Sequence, residues 1–102
     1  MKRIPIDQAR ALCHLVFHDT LGAPPEISKA AVDVLVDADV RGIASHGIAV
    51  LPYYLDKWEQ GQIVPTAEIE LVSQTATTSL FAGNRAIGHY TSRQAMQSAI
   101  DK

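Results

Sequence analysis

The sequence has few of the features that mark secreted, membrane-spanning or nucleic-acid-binding proteins. Cys13 is the only cysteine among 102 residues, which excludes an intramolecular disulfide framework and favours a reducing compartment. No apolar run is long enough to span a bilayer. The formal net charge of −2 gives no general attraction to nucleic acid or anionic lipid, and no basic stripe follows the helical patterns. These absences predict a cytoplasmic protein with no nucleic-acid or membrane partner.

Apolar residues recur at three- and four-residue spacing in the N-terminal part of the sequence, which predicts three amphipathic helices. Asp7 is expected to cap the first helix, and Gly22 to end it. The second helix is expected to open at Pro24-Pro25 and to stop at Gly42. The acidic residues of the second helix are interpreted as a solvated face: Asp33, Asp37 and Asp39.

The third apolar pattern contains a proline that leaves two starting points open. If the helix begins after Ser45, that residue caps it, but Pro52 then lies inside the helix and costs about 3 kcal/mol. If the helix begins near Leu51, residues 45–50 form a separate turn. This pattern also holds half of the six aromatic residues, and core packing or a dimer contact would account for them: Tyr53, Tyr54 and Trp58.

The period of the pattern changes after Pro65. Two segments, Glu68–Val72 and Thr78–Ala82, are predicted to be mostly half-buried strands. The junction from Gly83 to His89 then leads into a last amphipathic helix. This junction is neither a P-loop nor a Gly-x-Gly-x-x-Gly motif, so its glycines indicate a turn more than a phosphate site.

The expected fold class is a mainly α N-terminal helical bundle followed by a β-hairpin and a helix that begin a larger mixed α/β domain. The domain boundary is predicted between residues 1–65 and 66–102. A two-stranded hairpin alone is marginally stable, and the last helical pattern reaches Lys102 without a stop signal. We therefore expect the sequence to be an N-terminal fragment of a longer chain.

Two histidines share one side of the first predicted helix and are candidates for a metal site. His14 and His18 are four residues apart, but a zinc site needs at least one more ligand, and none is nearby in the sequence. We predict no metal site here and interpret both as solvent-side polar residues. Cys13 is expected to pack as a small hydrophobe.

A histidine between the second and third helical patterns has the chemistry of a general acid or base. His46 lies between Ser45 and Gly47, so its ring is approachable, and its unperturbed pKa is near neutrality. If Ser45 caps a helix, the positive helix end would keep the ring neutral. A neutral imidazole accepts a proton from an alcohol, and its protonated form returns one to a carbonyl. A surface or capping role is the alternative.

The residues around His46 resemble a known family. The run Ala38–Ile48, followed by Leu51–Tyr54 and Gly61–Pro65, resembles the N-terminal part of the malate/L-lactate dehydrogenase family. The resemblance continues through Gly83–Gly88 and Ala95-Met96. Members of this family use NAD(P) without a Rossmann fold, and they include sulfolactate, ureidoglycolate and diketogulonate-type enzymes.

The resemblance implies an NAD(P)-dependent oxidoreductase that interconverts a 2-hydroxy acid and a 2-oxo acid. It implies His46 as the catalytic acid/base, with Ser45 and Arg41 as candidates for substrate binding. It also implies a homodimer, and a site for NAD or NADP mostly outside this sequence, so that the 102 residues alone are expected to be inactive. Val50 stands where family members often carry a carboxylate-binding arginine, so substrate choice is left open.

A non-enzymatic alternative also fits the residues. The sequence could be a stand-alone helical interaction or dimerisation module derived from that family. Its contact surface would then be the aromatic group Tyr53, Tyr54 and Trp58. Binding of NAD(P)H by the complete protein distinguishes an enzyme from such a module.

Overall fold

A computed structural model describes residues 3–102, so Met1 and Lys2 of the first predicted domain lie outside the described residues. Within that range the helices are α1 (Ile6–His14), α2 (Pro25–Val40), α3 (Leu51–Glu59) and α4 (Gly88–Asp101), and the strands are β1 (Glu70–Gln74) and β2 (Ser79–Ala82). This order confirms the predicted fold class of a helical part followed by a hairpin and a helix. No helix in the described part of the chain is both long and apolar enough to cross a membrane.

The first helix begins one residue before the predicted cap. The residue before α1 is Pro5, and Asp7 lies inside the first turn without a capping hydrogen bond from its side chain. The capping prediction is therefore wrong, although a carboxylate in the first turn still faces the positive end of the helix. After α1 the chain continues as a π-helical segment, Leu15–Thr20. Gly22 follows with φ of +79°, which confirms the predicted stop.

Helix α2 is the centre of the molecule. It begins at Pro25, as predicted, and packs against α1 on one side and α4 on another. Its end is a Schellman motif, in which the N–H of Gly42 bonds to the carbonyl oxygen of Asp39 (3.0 Å) and the N–H of Ile43 to that of Ala38 (2.8 Å). Gly42 takes the required left-handed conformation, with φ of +79°. The predicted stop at Gly42 is therefore confirmed.

One apolar core joins the helices to the segment before α4. Ile87, just before α4, is fully buried in this core, so α4 is anchored to the helical part. The predicted domain boundary after residue 65 stays a prediction. The buried members of the core are Ala9, Cys13, Phe17, Leu21, Ala23, Ile27, Ala31, Val32, Leu35, Val36, Leu51 and Ile87.

The acidic residues of α2 do not form a simple solvated face. The Asp33 carboxylate accepts hydrogen bonds from Arg10 on α1 (2.5 Å), Lys29 on α2 (2.6 Å) and Arg93 on α4 (3.4 Å). Its side chain is only 23% exposed. Partial burial raises the pKa of Asp33, but the hydrogen bonds and charges of Lys29 and Arg10 outweigh it and lower the pKa to about 2. Asp33 thus joins three helices, and the predicted solvated role is wrong for this residue.

The hairpin is present, but its first strand begins two residues later than predicted. β1 and β2 pair antiparallel, with a bulge at Val72 between the pairs Leu71–Phe81 and Ser73–Leu80. Every residue of β1 is exposed, whereas three of the four residues of β2 are half-buried. The expectation of two mostly half-buried strands is therefore wrong for β1. The physical reason is that α4 packs on the β2 side of the hairpin, and no other described element covers β1.

Candidate active site

The segment between α2 and α3 consists of two short turns rather than the start of a helix. Ala44–His46 forms one 3₁₀ turn and Ile48–Val50 forms a second. Gly47 separates the two turns in an extended conformation. His46 therefore does not lie in the first turn of an α-helix, which is where the predicted effect of a helix end on its ring required it to be.

Helix α3 begins at Leu51, so Pro52 falls in its first turn. Proline is tolerated there because amides in the first turn have no partner within the helix. Of the two predicted starting points, the later one is confirmed. Capping by Ser45 is wrong, since no side chain caps either the turn that contains it or α3.

The His46 ring is exposed, and one of its two nitrogens has a hydrogen-bonding partner. Its Nδ1 lies 2.8 Å from the Oγ of Ser45. A hydroxyl accepts from Nδ1–H or donates to an unprotonated Nδ1, so the contact suits more than one protonation state of the ring. Among residues 3–102 no side chain is bonded to His46 Nε2. The arrangement leaves Nε2 available for proton transfer.

Asp39, which sequence reasoning assigned to a solvated face, contacts this segment directly. Its Oδ2 accepts a hydrogen bond of 2.8 Å from the backbone N–H of Ile48. Gly47 is buried beneath the same carboxylate, and a Cβ built there would lie 1.9 Å from Asp39 Oδ1. The available signal was the glycine directly after His46, because glycine often marks a close approach of the backbone to another group.

Arg41 lies at the end of α2, just before the His46 turn. Its Nε bonds to Asp37 Oδ2 at 2.9 Å, and its side chain is 70% exposed. An exposed ion pair of this kind contributes little to stability and exchanges readily with other partners. The side chain of Val50, unlike that of Arg41, is half-buried and packs against the apolar core.

The three aromatic residues of α3 divide between core and surface. The Tyr54 ring packs edge-on against Phe17, with centroids 5.3 Å apart. Its hydroxyl lies 2.8 Å from Nε2 of His89, a contact that sequence reasoning missed. Burial, with a smaller effect of Tyr53, raises the pKa of Tyr54, and burial lowers the pKa of His89. Tyr53 and Trp58 are exposed, so core packing accounts for Tyr54 alone.

The two histidines of the first helical segment bond to separate partners. His14 Nδ1 lies 2.9 Å from Oγ of the buried Ser28, and His18 Nδ1 lies 2.7 Å from the carbonyl oxygen of Ala23. His14 is half-buried, so its interpretation as a solvent-side residue is wrong, whereas His18 is exposed. In the described residues, no three His, Cys, Asp or Glu side chains are grouped as a metal site requires.

Cys13 is fully buried in the apolar core, which confirms the prediction that it packs as a small hydrophobe. Burial, together with the charge of Asp39, raises the pKa of its thiol to about 11. Because the thiolate is the reactive form, this thiol is inert near neutral pH.

Comparison with known proteins places these features in a family. A family model described as malate/L-lactate dehydrogenase matches residues 4–102. The chain belongs to the malate/L-lactate dehydrogenase family. It is 38% identical to L-sulfolactate dehydrogenase of Methanothermobacter thermautotrophicus over 82 residues, which are 80% of this chain and 24% of that protein.

Solved structures agree with this membership of the malate/L-lactate dehydrogenase family. The chain superposes on malate dehydrogenase from Entamoeba histolytica with a TM-score of 0.92 and 32% identity, covering 98% of this chain and 28% of that one. For sulfolactate dehydrogenase from Methanocaldococcus jannaschii the TM-score is 0.91 and the identity 32%, covering 96% and 28%. The chain therefore spans about a quarter of the length of the relatives it matches.

Proposed function

We propose that the chain is the N-terminal part of an NAD(P)-dependent oxidoreductase that interconverts a 2-hydroxy acid and a 2-oxo acid. The relatives named above are malate and sulfolactate dehydrogenases, and their names support a substrate of this class. None of these names supports the alternative of a non-catalytic interaction module. The proposal includes the division into a helical domain of residues 1–65 and an α/β part that starts at residue 66.

The observation that carries the proposal is the exposed His46 ring with Nδ1 beside Ser45 Oγ. When Nδ1–H donates to that hydroxyl, the unprotonated Nε2 accepts the proton of the substrate C2 hydroxyl during oxidation. In the reverse direction the imidazolium returns the proton to the oxygen of the 2-oxo acid. The proposed role of Ser45 is to orient the ring in both states, next to the substrate.

Arg41 is proposed to bind the substrate carboxylate in place of the arginine that position 50 lacks. Among residues 3–102 its guanidinium is paired through Nε alone, and that pair is exposed to solvent. The remaining guanidinium nitrogens can form two parallel hydrogen bonds with a carboxylate. Exchange of Asp37 for substrate costs little, because exposed ion pairs are weak.

The nicotinamide cofactor, NAD or NADP, is proposed to bind mostly through residues beyond those described. In the junction from Gly83 to His89, the Ala86 N–H is already bonded to the Gly83 carbonyl oxygen at 2.9 Å. The residue that precedes α4, Ile87, is fully buried and offers no polar side chain. This junction therefore does not fit a nucleotide phosphate.

A homodimer is part of the proposal and is supported by two aromatic side chains on the surface of α3. Tyr53 is 58% exposed and Trp58 is 37% exposed. Aromatic residues of this kind are enriched at the centres of protein interfaces. A cytoplasmic location is also proposed, since the single cysteine is a buried free thiol.

Mutation of His46 in the complete enzyme tests the proposed function. His46→Ala is expected to lower turnover about 100-fold or more, the usual scale for loss of a general acid/base. His18→Ala is the matched control, because His18 is also exposed but bonds only to the Ala23 carbonyl oxygen. Near-normal turnover of a correctly folded His46→Ala enzyme would contradict the assignment.

A further inference from the structure

We propose that Asp39 is a positioning residue that holds the His46 turn in place through its backbone. The inference rests on the proposed acid/base role of His46. Asp39 lies near the end of α2 and is half-buried. Its carboxylate accepts the N–H of Ile48, two residues beyond His46, at 2.8 Å.

The absence of a side chain at Gly47 is explained by this carboxylate. A Cβ at Gly47 would lie 1.9 Å from Asp39 Oδ1, 2.2 Å from Cγ and 2.4 Å from Oδ2. The φ of Gly47 is −97°, so the residue is not in the left-handed region that favours glycine. The close approach of the Asp39 carboxylate is therefore sufficient by itself to require glycine at this position.

The hydrogen bond from Ile48 to Asp39 attaches the C-terminal end of the short segment 43–48, which carries His46, to α2. At the first end, the N–H of Ile43 bonds to the Ala38 carbonyl oxygen at 2.8 Å, and the N–H of His46 bonds to the Ile43 carbonyl oxygen at 3.0 Å. At the other end, the backbone N–H of Ile48 donates to Asp39 Oδ2. Both ends are thus attached to the last turns of α2, the most buried helix of the molecule.

The exposed His46 side chain gains its position from this backbone segment, because it has little packing of its own. A hydrogen bond to a carboxylate is charge-assisted and about twice as strong as one between neutral groups. Loss of the Asp39 acceptor leaves the Ile48 amide without its partner and opens space above Gly47. The histidine ring then samples positions away from the substrate hydroxyl.

Steady-state kinetics of the complete enzyme test this inference. Asp39→Ala is expected to lower kcat about 10- to 100-fold with little change in KM, since small misplacement of a catalytic group has effects of that size. Asp39→Asn keeps an acceptor and nearly the same volume, and its kcat is expected to stay within about threefold of wild type. Asp56→Ala is the control, because Asp56 is exposed on α3 and bonds only to Gln60.

Kinetics of Asp39→Ala in the His46→Ala enzyme distinguish a positioning effect on His46 from a general loss of stability. If Asp39 acts through His46, Asp39→Ala is expected to change the residual turnover of His46→Ala by less than about twofold. An equal loss in both backgrounds would overturn the inference, as would unchanged kcat in folded Asp39→Ala. Should the alanine variant fail to fold, Asp39→Ser replaces it, because its shorter hydroxyl does not reach the Ile48 amide; unchanged kcat would again overturn the inference.

A double-mutant cycle tests the contact between Asp39 and Gly47. Gly47→Ala is expected to lower kcat strongly in the wild-type background, where the new methyl group displaces the carboxylate. In the Asp39→Ala background the same change meets no carboxylate, so its added effect is expected to be much smaller. Strict additivity would contradict the contact.

A fully active His46→Ala enzyme would refute the proposed function itself, whereas an inactive one combined with a normal Asp39→Ala would refute only this inference.

Discussion

Val50 lies at the end of the second 3₁₀ turn, four residues after His46, with its half-buried side chain against the core. A valine there contributes apolar contact and no hydrogen bond to a substrate. An arginine at position 50 would add a second charged donor to the one proposed at Arg41. The long apolar stem of arginine can follow the edge of the core while its guanidinium reaches solvent.

We therefore expect Val50→Arg to raise kcat/KM for malate or lactate about tenfold in the complete enzyme, the scale of one charge-assisted hydrogen-bonded pair. Steady-state kinetics with both acids provide the measurement. Val50→Met is the control, because it supplies a flexible apolar stem without charge. Unchanged kinetics for Val50→Arg would mean that position 50 does not reach the carboxylate, which is then bound elsewhere, as proposed for Arg41.

At the scale of elements, the turn that ends α2 illustrates how one glycine directs the chain. Gly42 has φ of +79°, and a Cβ there would meet nothing within 4 Å. The cost of a side chain at this position is therefore conformational. At Gly47 the obstacle is different, because its φ is negative and a side chain would meet the carboxylate of Asp39.

Gly42→Ala is expected to destabilise the protein by about 1 kcal/mol, since an L-residue in the left-handed region carries roughly that penalty. Urea unfolding followed by circular dichroism measures the change. Gly88→Ala is the comparison variant, because Gly88 also has open space around it but is the first residue of α4 with no positive φ. Equal effects at the two positions would show that the left-handed conformation is not the cause.

The hairpin and α4 show that the hydrophobic pattern of a segment does not by itself predict which of its residues are buried. The alternation in β1 predicts a half-buried strand, yet Leu71 and Val72 are exposed. The apolar stripe of α4 likewise leaves Met96 and Ile100 exposed. Periodicity reports which side chains share a face, but only a neighbouring element can bury that face. The expectation that further chain covers the hairpin stays a prediction.

For the molecule as a whole, the carboxylate of Asp33 connects the N-terminal helices to α4. It accepts from Arg10, Lys29 and Arg93, which come from three different helices. Because the pKa of Asp33 is lowered to about 2 from 3.8, its ionised form stabilises the folded state. This contribution is fully present above the unfolded pKa near 3.8 and is lost as the pH falls through about 2.

We expect Asp33→Asn to lower the free energy of unfolding by about 1–2 kcal/mol near neutral pH, after allowance for the exposure of its partners. The difference from wild type should shrink as the pH falls from about 4 to about 2. Urea unfolding over that pH range measures it. Asp37→Asn, which breaks only the exposed pair with Arg41, is expected to change stability by less than about 0.5 kcal/mol. A pH-independent effect of Asp33→Asn would contradict the role of its charge.

The sequence by itself determined the helices, their order and most of their ends. Apolar spacing located the buried side of α1 and α2, and Pro25, Gly22 and Gly42 marked boundaries, because periodicity, proline and glycine act through local backbone geometry. The fold class followed from the same short-range patterns, and the family resemblance rested on the residues around His46; both are confirmed. His46 was also identified from the sequence as a candidate acid/base, because the unperturbed pKa of histidine is near neutrality and its neighbours are small.

Only the tertiary structure decided which side chains meet across the fold. Asp33 and Asp39 belong to the same acidic pattern in the sequence, but one joins three helices and the other holds the backbone beside His46. The contact between Tyr54 and His89 spans 35 residues and has no local signature. Such contacts depend on how α1, α4 and the two turns before α3 pack on α2. A pattern read along one segment contains no information about the partner that another segment brings to it.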